Sequence, residues 1–197
     1  MQDGKTRRTQ AERRAETRQA LLEAARRLFV EKGYAETGTP EIVKAAEVTR
    51  GALYHHFSDK ADLMRALVRG EASAVAAEID SQTDTNQAAL EAFMSGAKAY
   101  FSAMSVPGRA KILLLEGPAV LGTAEMSEID RETGTAALLE GLQHAAGQGA
   151  LKNVPLEPLA DLLSSAFDRA ALAIANGEDR KAYETATYRL LAGVLDR

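Results

Sequence analysis

This sequence predicts an all-α fold, and three observations carry the prediction. Apolar residues recur every three or four positions through nearly the whole chain, and no window shows apolar–polar alternation bounded by turns. Cap residues and breakers stand at intervals suited to helices, as in Thr-Pro-Glu at 39–41 and Gly-Pro at 117–118. The 197 residues are 46% hydrophobic and 26% charged, the balance of a globular chain that buries a core without staples. Cysteine is absent, which removes disulfides, thiolate chemistry and cysteine zinc sites. The longest apolar runs, such as ILLL at 112–115, are too short to cross a membrane, and the basic N-terminus lacks the apolar stretch of a signal peptide. A reducing, cytoplasmic setting with no membrane partner is expected.

About nine helices are expected. Leu21, Ala25, Leu28 and Phe29 make one face of the first, which Gly33 ends. Thr39 is expected to cap the second, with Pro40 at the first helical position and Glu41 complementing the dipole. A short third opens at the cap residue Thr49 and closes near Phe57; Ser58 or Asp59 caps a fourth. After the polar loop 81–87, Leu90, Phe93, Ala97, Tyr100 and Met104 mark a strongly amphipathic fifth, broken by Val-Pro-Gly at 106–108. A short apolar helix is expected to stop at Gly117-Pro118. A longer one is expected from Thr123 to about Ala146, although Gly134 and Gly141 weaken it. The last two are separated at Asn176-Gly177, and Pro155 and Pro158 fall in the first turn of the earlier one.

Charge is divided unevenly. The chain carries −4 overall, but residues 1–60 hold twelve Lys and Arg against nine Asp and Glu, a balance of +3, leaving −7 on the rest. Lys5, Arg7, Arg8, Arg13, Arg14 and Arg18 face only Asp3, Glu12 and Glu16. That N-terminal run reads either as a solvated tail or as an arm for an anionic backbone.

The second and third helices are joined by only a few residues around Glu47-Val48, the spacing of a helix-turn-helix. The second member of such a pair can enter a DNA major groove about 12 Å wide. Thr49, Arg50, Gly51, Ala52, Tyr54, His55 and His56 suit that role, offering donors, small residues for close approach, and no acid to repel phosphate. Other readings of the paired histidines fit poorly. Neighbours on a helix point about 100° apart, whereas helical chelators stand one turn apart, so no metal site is expected. No G-x-S-x-G or G-x-G-x-x-G occurs, and no catalytic residues or cofactor are expected.

The segment from Arg18 to Lys60, above all RGALYHHFSDKADL after AAEVT, resembles the tetracycline-repressor-type (TetR family) transcriptional regulators. The resemblance covers about the first third of the chain and is specific in its L-Y-x-H-F-x-x-K core. It implies an all-α homodimer with a DNA-binding domain, here 1–62, and a helical ligand-binding and dimerisation domain, here 63–197. By position it implies that Tyr54, His56 and Lys60 grip phosphates. Arg50, Gly51, Ala52 and His55 would face base edges, and Thr39 would touch backbone. Two positions depart from the family pattern. Glu47 stands where glycine is usual, because the turn tends to need a left-handed backbone, and Pro40 replaces a polar side chain found in some relatives. Tyr54 is expected to bury its ring and expose its hydroxyl.

From Leu159 to Ala175 only Asp161, Asp168 and Arg169 are charged. A helix so apolar needs cover on two sides, from its own domain and from a second copy of the chain, or else from one large domain alone. The expected dimer contacts are Leu159, Leu163, Ala170, Ala171, Ile174, Leu191 and Leu195. For a small-molecule effector, Phe93, Tyr100, Met104 and Phe167 are the candidate lining. Glu116 is either a partner for a cationic ligand or a solvated carboxylate at a helix end, and His144 is equally open. The partners expected are an operator in double-stranded DNA, an effector of unnamed chemistry and a second copy of the chain.

Overall fold

The computed structural model describes residues 9–83, 87–151 and 153–195, and these are helical with no strand among them. The chain divides into two compact units, residues 1–67 and 68–197. The expected contributions of Lys5, Arg7 and Arg8 lie outside the described residues.

The first unit holds α1 (Gln10–Lys32), α2 (Thr39–Ala45), α3 (Arg50–His56) and the start of α4 (Lys60–Gln82). Helix α1 begins earlier than its apolar face suggested. The Thr9 hydroxyl accepts from the Glu12 amide while the Glu12 carboxylate accepts from the Thr9 amide, a capping box. Arg13, Arg14 and Arg18 are therefore helical residues. Leu21, Ala25, Phe29, Ile42, Leu53, Phe57, Leu63 and Met64 are buried and form this unit's core.

Helix α2 differs at its start. Gly38 is the N-cap, and Thr39 lies within the first turn with no capping bond from its side chain. Its C-terminus closes by a Schellman motif: Glu47 N–H donates to the Lys44 carbonyl and Val48 N–H to the Val43 carbonyl. That motif places Glu47 at φ +55°, the left-handed geometry expected of it. The same motif ends two later helices, with Gly149 and Gly177 at the corresponding position. Thr49 caps α3 as expected, accepting from the Ala52 amide at 3.1 Å, and Asp59 caps α4, accepting from the Asp62 amide at 2.7 Å.

The second unit comprises the rest of α4, then α5 (Ala89–Met104), α6 (Arg109–Lys111), a π-helical segment (Ile112–Glu116) and α7 (Gly117–Leu121). It continues with α8 (Thr123–Arg131), α9 (Gly134–Gly147), α10 (Leu156–Ala175) and α11 (Arg180–Val194). Two expectations are corrected. The chain does not stop at Gly117-Pro118. Proline has no N–H and its ring crowds the carbonyl four residues back; the wider π turn just upstream gives it room, and the helix runs on to Leu121. The expected Thr123–Ala146 helix is two helices, parted at Glu132-Thr133, which raises the number of helical stretches from nine to ten.

Helix α10 packs on α9, α5, α11 and α6, which places it at the centre of this unit. Arg109 ties α6 back across the Val-Pro-Gly turn: its Nε donates to Glu71 Oε2 at 2.6 Å and its Nη1 to the Ala103 carbonyl at 2.8 Å. The pair is nearly buried, so each charge depends on the other.

Candidate nucleic-acid interface and interior cavity

On α3, Thr49, Arg50, Gly51, Tyr54 and His55 are exposed and Ala52 and His56 are half-buried. The apolar Leu53 is fully buried and holds the helix to its unit, so the opposite, polar face is presented outward. Tyr54 departs from expectation: its ring is 44% exposed rather than buried. The neighbouring polar side chains of Thr39 and then Arg50 hold its hydroxyl below the ordinary tyrosine value. The Arg50 guanidinium lies 5.5 Å from the Tyr54 ring centroid. Thr39, Arg50 and Tyr54 thus form one polar group joining the start of α2 to α3.

Gly51 has open space around it. A Cβ there would meet only the Thr49 hydroxyl, at 3.9 Å, so no intramolecular contact requires glycine. The two histidine rings stand edge to face, 5.4 Å apart. Burial, then the charges of His55, Arg14 and Arg18, holds His56 below the ordinary histidine value. Arg14 and Arg18, one turn apart on α1, therefore approach the C-terminal end of α3. The Arg18 guanidinium lies 5.2 Å from the Phe57 ring centroid. In the sequence both arginines belonged to a basic N-terminal run, either a solvated tail or an arm for an anionic backbone; the capping signal Thr9-x-x-Glu12 would have placed them on a helix.

Lys60 also serves inside the protein. Its ammonium donates to the carbonyls of Tyr34 and Thr37, each at 2.9 Å, and sits 4.0 Å from the Tyr34 ring centroid. Two of its three protons and one face are spent inside the protein, tying the α1–α2 connection to the start of α4. Among the described residues no group of three or more His, Asp and Glu is placed to hold a metal ion.

The second unit holds a half-open cavity of about 1410 Å³. Phe93, Tyr100, Met104 and Phe167 line it, together with Val75, Leu113 and Met126. Glu116 does not; it faces Lys111 at 3.9 Å, which corrects its assignment to the ligand site. His144 is on the lining but exposed, hydrogen-bonded to Gln148 at 2.9 Å. Four polar residues went unassigned in the sequence. The Tyr100 hydroxyl donates to Asp168 Oδ1 at 2.5 Å, while Ser164 and Thr135 both donate to Asp130 Oδ2, the former at 3.1 Å. Asp168 was legible as a charge on an apolar helix; Asp130 gave no local signal.

The expected dimer residues are mostly spent elsewhere. Leu163, Ala170, Ala171, Leu191 and Leu195 are buried within the chain itself, and Leu159 and Ile174 are half-buried. The exposed apolar side chains of the same two helices are Leu162, Tyr188 and Leu190.

A family model described as "Bacterial regulatory proteins, tetR family" matches residues 21–67, and one described as "Tetracyclin repressor-like, C-terminal domain" matches residues 90–197. The transposon Tn10 TetC protein of Escherichia coli is 30% identical over 178 residues, spanning 88% of this chain and 89% of its own. The HTH-type transcriptional regulator AcrR of Shigella flexneri is 58% identical, but over 48 residues, 24% of this chain and 22% of that one. The crystal structure of a TetR-family transcriptional regulator from Pectobacterium atrosepticum matches at a TM-score of 0.75 and 32% identity, covering 96% of this chain and 99% of that one. RolR, in complex with its ligand resorcinol, shares the fold at a TM-score of 0.68 and 18% identity, covering 93% and 91%. With models of both halves matched and the helix-turn-helix in place, the chain belongs to the tetR family of bacterial regulatory proteins and is a DNA-binding transcriptional regulator rather than an enzyme.

Proposed function

We propose that two copies of this chain repress transcription, in the cytoplasm, from a palindromic operator and are released from it by a small molecule. The observation that carries the ligand-responsive part is the cavity of about 1410 Å³, larger than the roughly 300–1,000 Å³ of ordinary small-molecule sites. RolR offers a parallel, a protein of the same fold that holds a small aromatic ligand.

The reading helix is α3. Thr49, Arg50, Gly51, Ala52 and His55 approach base edges, while Thr39, Tyr54 and His56 meet the sugar–phosphate backbone with Arg14 and Arg18 beside them. Lys60 acts as a brace between the α1–α2 connection and the start of α4, with one proton left for a phosphate. Dimerisation uses the outer faces of α10 and α11 around Leu162 and Leu190, whose exposure as large apolar side chains favours a partner. In the operator-bound state the two α3 helices stand about 34–36 Å apart, or a multiple of that spacing. The effector shifts the population away from this spacing by binding the released state more tightly.

Selection from random DNA tests the first part and is expected to return an inverted repeat. A compound screen by thermal shift tests the second, followed by operator release measured by fluorescence anisotropy. A single asymmetric half-site bound by a monomer sinks the dimeric reading. Compounds that stabilise the protein yet leave operator affinity unchanged sink the ligand-responsive one.

A further inference from the structure

The chemistry of the cavity narrows the class of ligand. Its lining includes ionisable groups at two depths. Asp80, Glu140, Asp161, Arg131 and Arg169 are exposed. The half-buried acids of the lining are two carboxylates, Asp130 and Asp168, whose hydrogen bonds come from neutral partners.

Asp130 Oδ2 accepts from Thr135 and Ser164, and Asp168 Oδ1 accepts from Tyr100. Neither has an ion-pair partner among the described residues, and Asp130 Oδ1 and Asp168 Oδ2 accept no hydrogen bond there. No fully buried side-chain oxygen of the described residues lacks a partner, so these two oxygens, on residues that line the cavity, keep some accessible surface. Gly134 makes room for the first of them: a Cβ at that position would stand 2.8 Å from Asp130 Oδ1. The two carboxylates also repel each other, and burial with that repulsion pushes the Asp168 carboxyl up to about 6. A buried charge without a counter-charge is costly, and two of one sign on one cavity wall are more so.

We propose that this cavity takes an organic cation: an ammonium-, amidinium- or guanidinium-type head lies between Asp130 and Asp168, and an apolar or aromatic body lies against Phe93, Met104, Leu113 and Phe167. The cation supplies the N–H donors and the positive charge that Thr135, Ser164 and Tyr100 cannot supply. The adaptable Met104 and the aromatic rings suit a flat apolar body. The inference rests on the ligand-responsive reading for its biological meaning, but its test is independent of DNA.

Three probes sharing one biphenyl body test it by calorimetry on the full chain without DNA: 4-phenylbenzamidinium, neutral 4-phenylbenzamide and biphenyl-4-carboxylate. The amidinium is expected to bind at least about tenfold more tightly than the amide, with no detectable binding of the carboxylate. Asp130→Asn and Asp168→Asn are each expected to weaken the amidinium by about tenfold or more while changing the amide by no more than about twofold. Asp168→Glu, which restores the charge, is expected to regain part of the preference, a result that a fold defect would not give. Equal or tighter binding of the amide or the carboxylate, binding of none of the three, or amidinium binding unchanged in both Asn variants overturns the proposal. Operator release is measured separately: amidinium binding without release upholds the site and sinks the ligand-responsive reading, whereas release by neutral compounds alone does the reverse.

Discussion

Glu47 is a residue placed against its own preference. Its left-handed backbone is imposed by the Schellman bonds from Glu47 and Val48 back into α2, which satisfy carbonyls that would otherwise be orphaned. A side chain at that φ costs on the order of 1 kcal/mol relative to glycine. Glu47→Gly is therefore expected to raise the melting temperature by a few degrees in a thermal scan; an unchanged or lower value counts against strain at this turn. Asp168 carries a cost of another kind. Its folded-state carboxyl titrates at about 6, above the ordinary aspartate value, so the folded chain binds a proton that the unfolded chain releases across the window from about 4 to 6. Stability contributed by that proton is present below about pH 4 and is lost as pH rises through about 6. Asp168→Asn keeps an acceptor for Tyr100 and removes the charge. It is expected to stabilise the free protein by about 2 kcal/mol near pH 7.5 and by nothing near pH 4, read from denaturant unfolding at both.

At the scale of the element, α3 is built for an external surface. Glycine in a helix costs about 0.5–1 kcal/mol against alanine, and the open space around Gly51 means that no internal contact repays it. Gly51→Ala is expected to leave stability equal or higher and to lower operator affinity, because the close approach it allows is to a partner outside the chain. Arg50→Ala separates two roles. A loss of roughly 1–3 kcal/mol confined to one base position marks base readout. A uniform loss over all sequences marks a backbone contact, made either by Arg50 itself or through the Tyr54 that it supports. The π-helical segment shows a second kind of dependence. A Cβ on Gly117 would stand 2.9 Å from the Ile112 carbonyl, 3.1 Å from the Met126 sulfur and 3.2 Å from Val68. Alanine, the better helix former, is expected to destabilise here by about 1–3 kcal/mol through overpacking, opposite in sign to its effect at position 51.

For the whole molecule, the question is what covers α10 and α11. Leu162 is 70% exposed, an unusual state for a leucine on the helix at the centre of its unit. Leu162→Glu is expected to convert a dimer into a monomer by light scattering and to abolish tight operator binding while leaving helix content intact. A wild-type chain that is monomeric at micromolar concentration removes the proposed interface altogether. The same helix turns Phe167 and Asp168 to the cavity, so one element serves both the ligand wall and the proposed subunit contact.

The sequence alone determined the helical class and the helix-turn-helix, because these rest on local facts: periodicity, caps and the short spacing around Glu47. The left-handed backbone at Glu47 was an expectation that came with the family resemblance, and the structure has it at φ +55°. Of the five candidate ligand residues, Phe93, Tyr100, Met104 and Phe167 lie on the cavity wall and were legible as apolar helix faces; Glu116 lies off it, and a carboxylate near a helix end looks the same in sequence either way. Only the tertiary structure decided which side of α10 is spent on its own core, since Leu162 and Leu163 are neighbours in sequence and opposite in environment. Only it could bring Asp130, Asp168, Ser164, Thr135 and Tyr100 together from four helices. The turn of Lys60 toward two carbonyls was equally hidden, for a lysine's flexible stem leaves its destination to whatever the fold sets within reach.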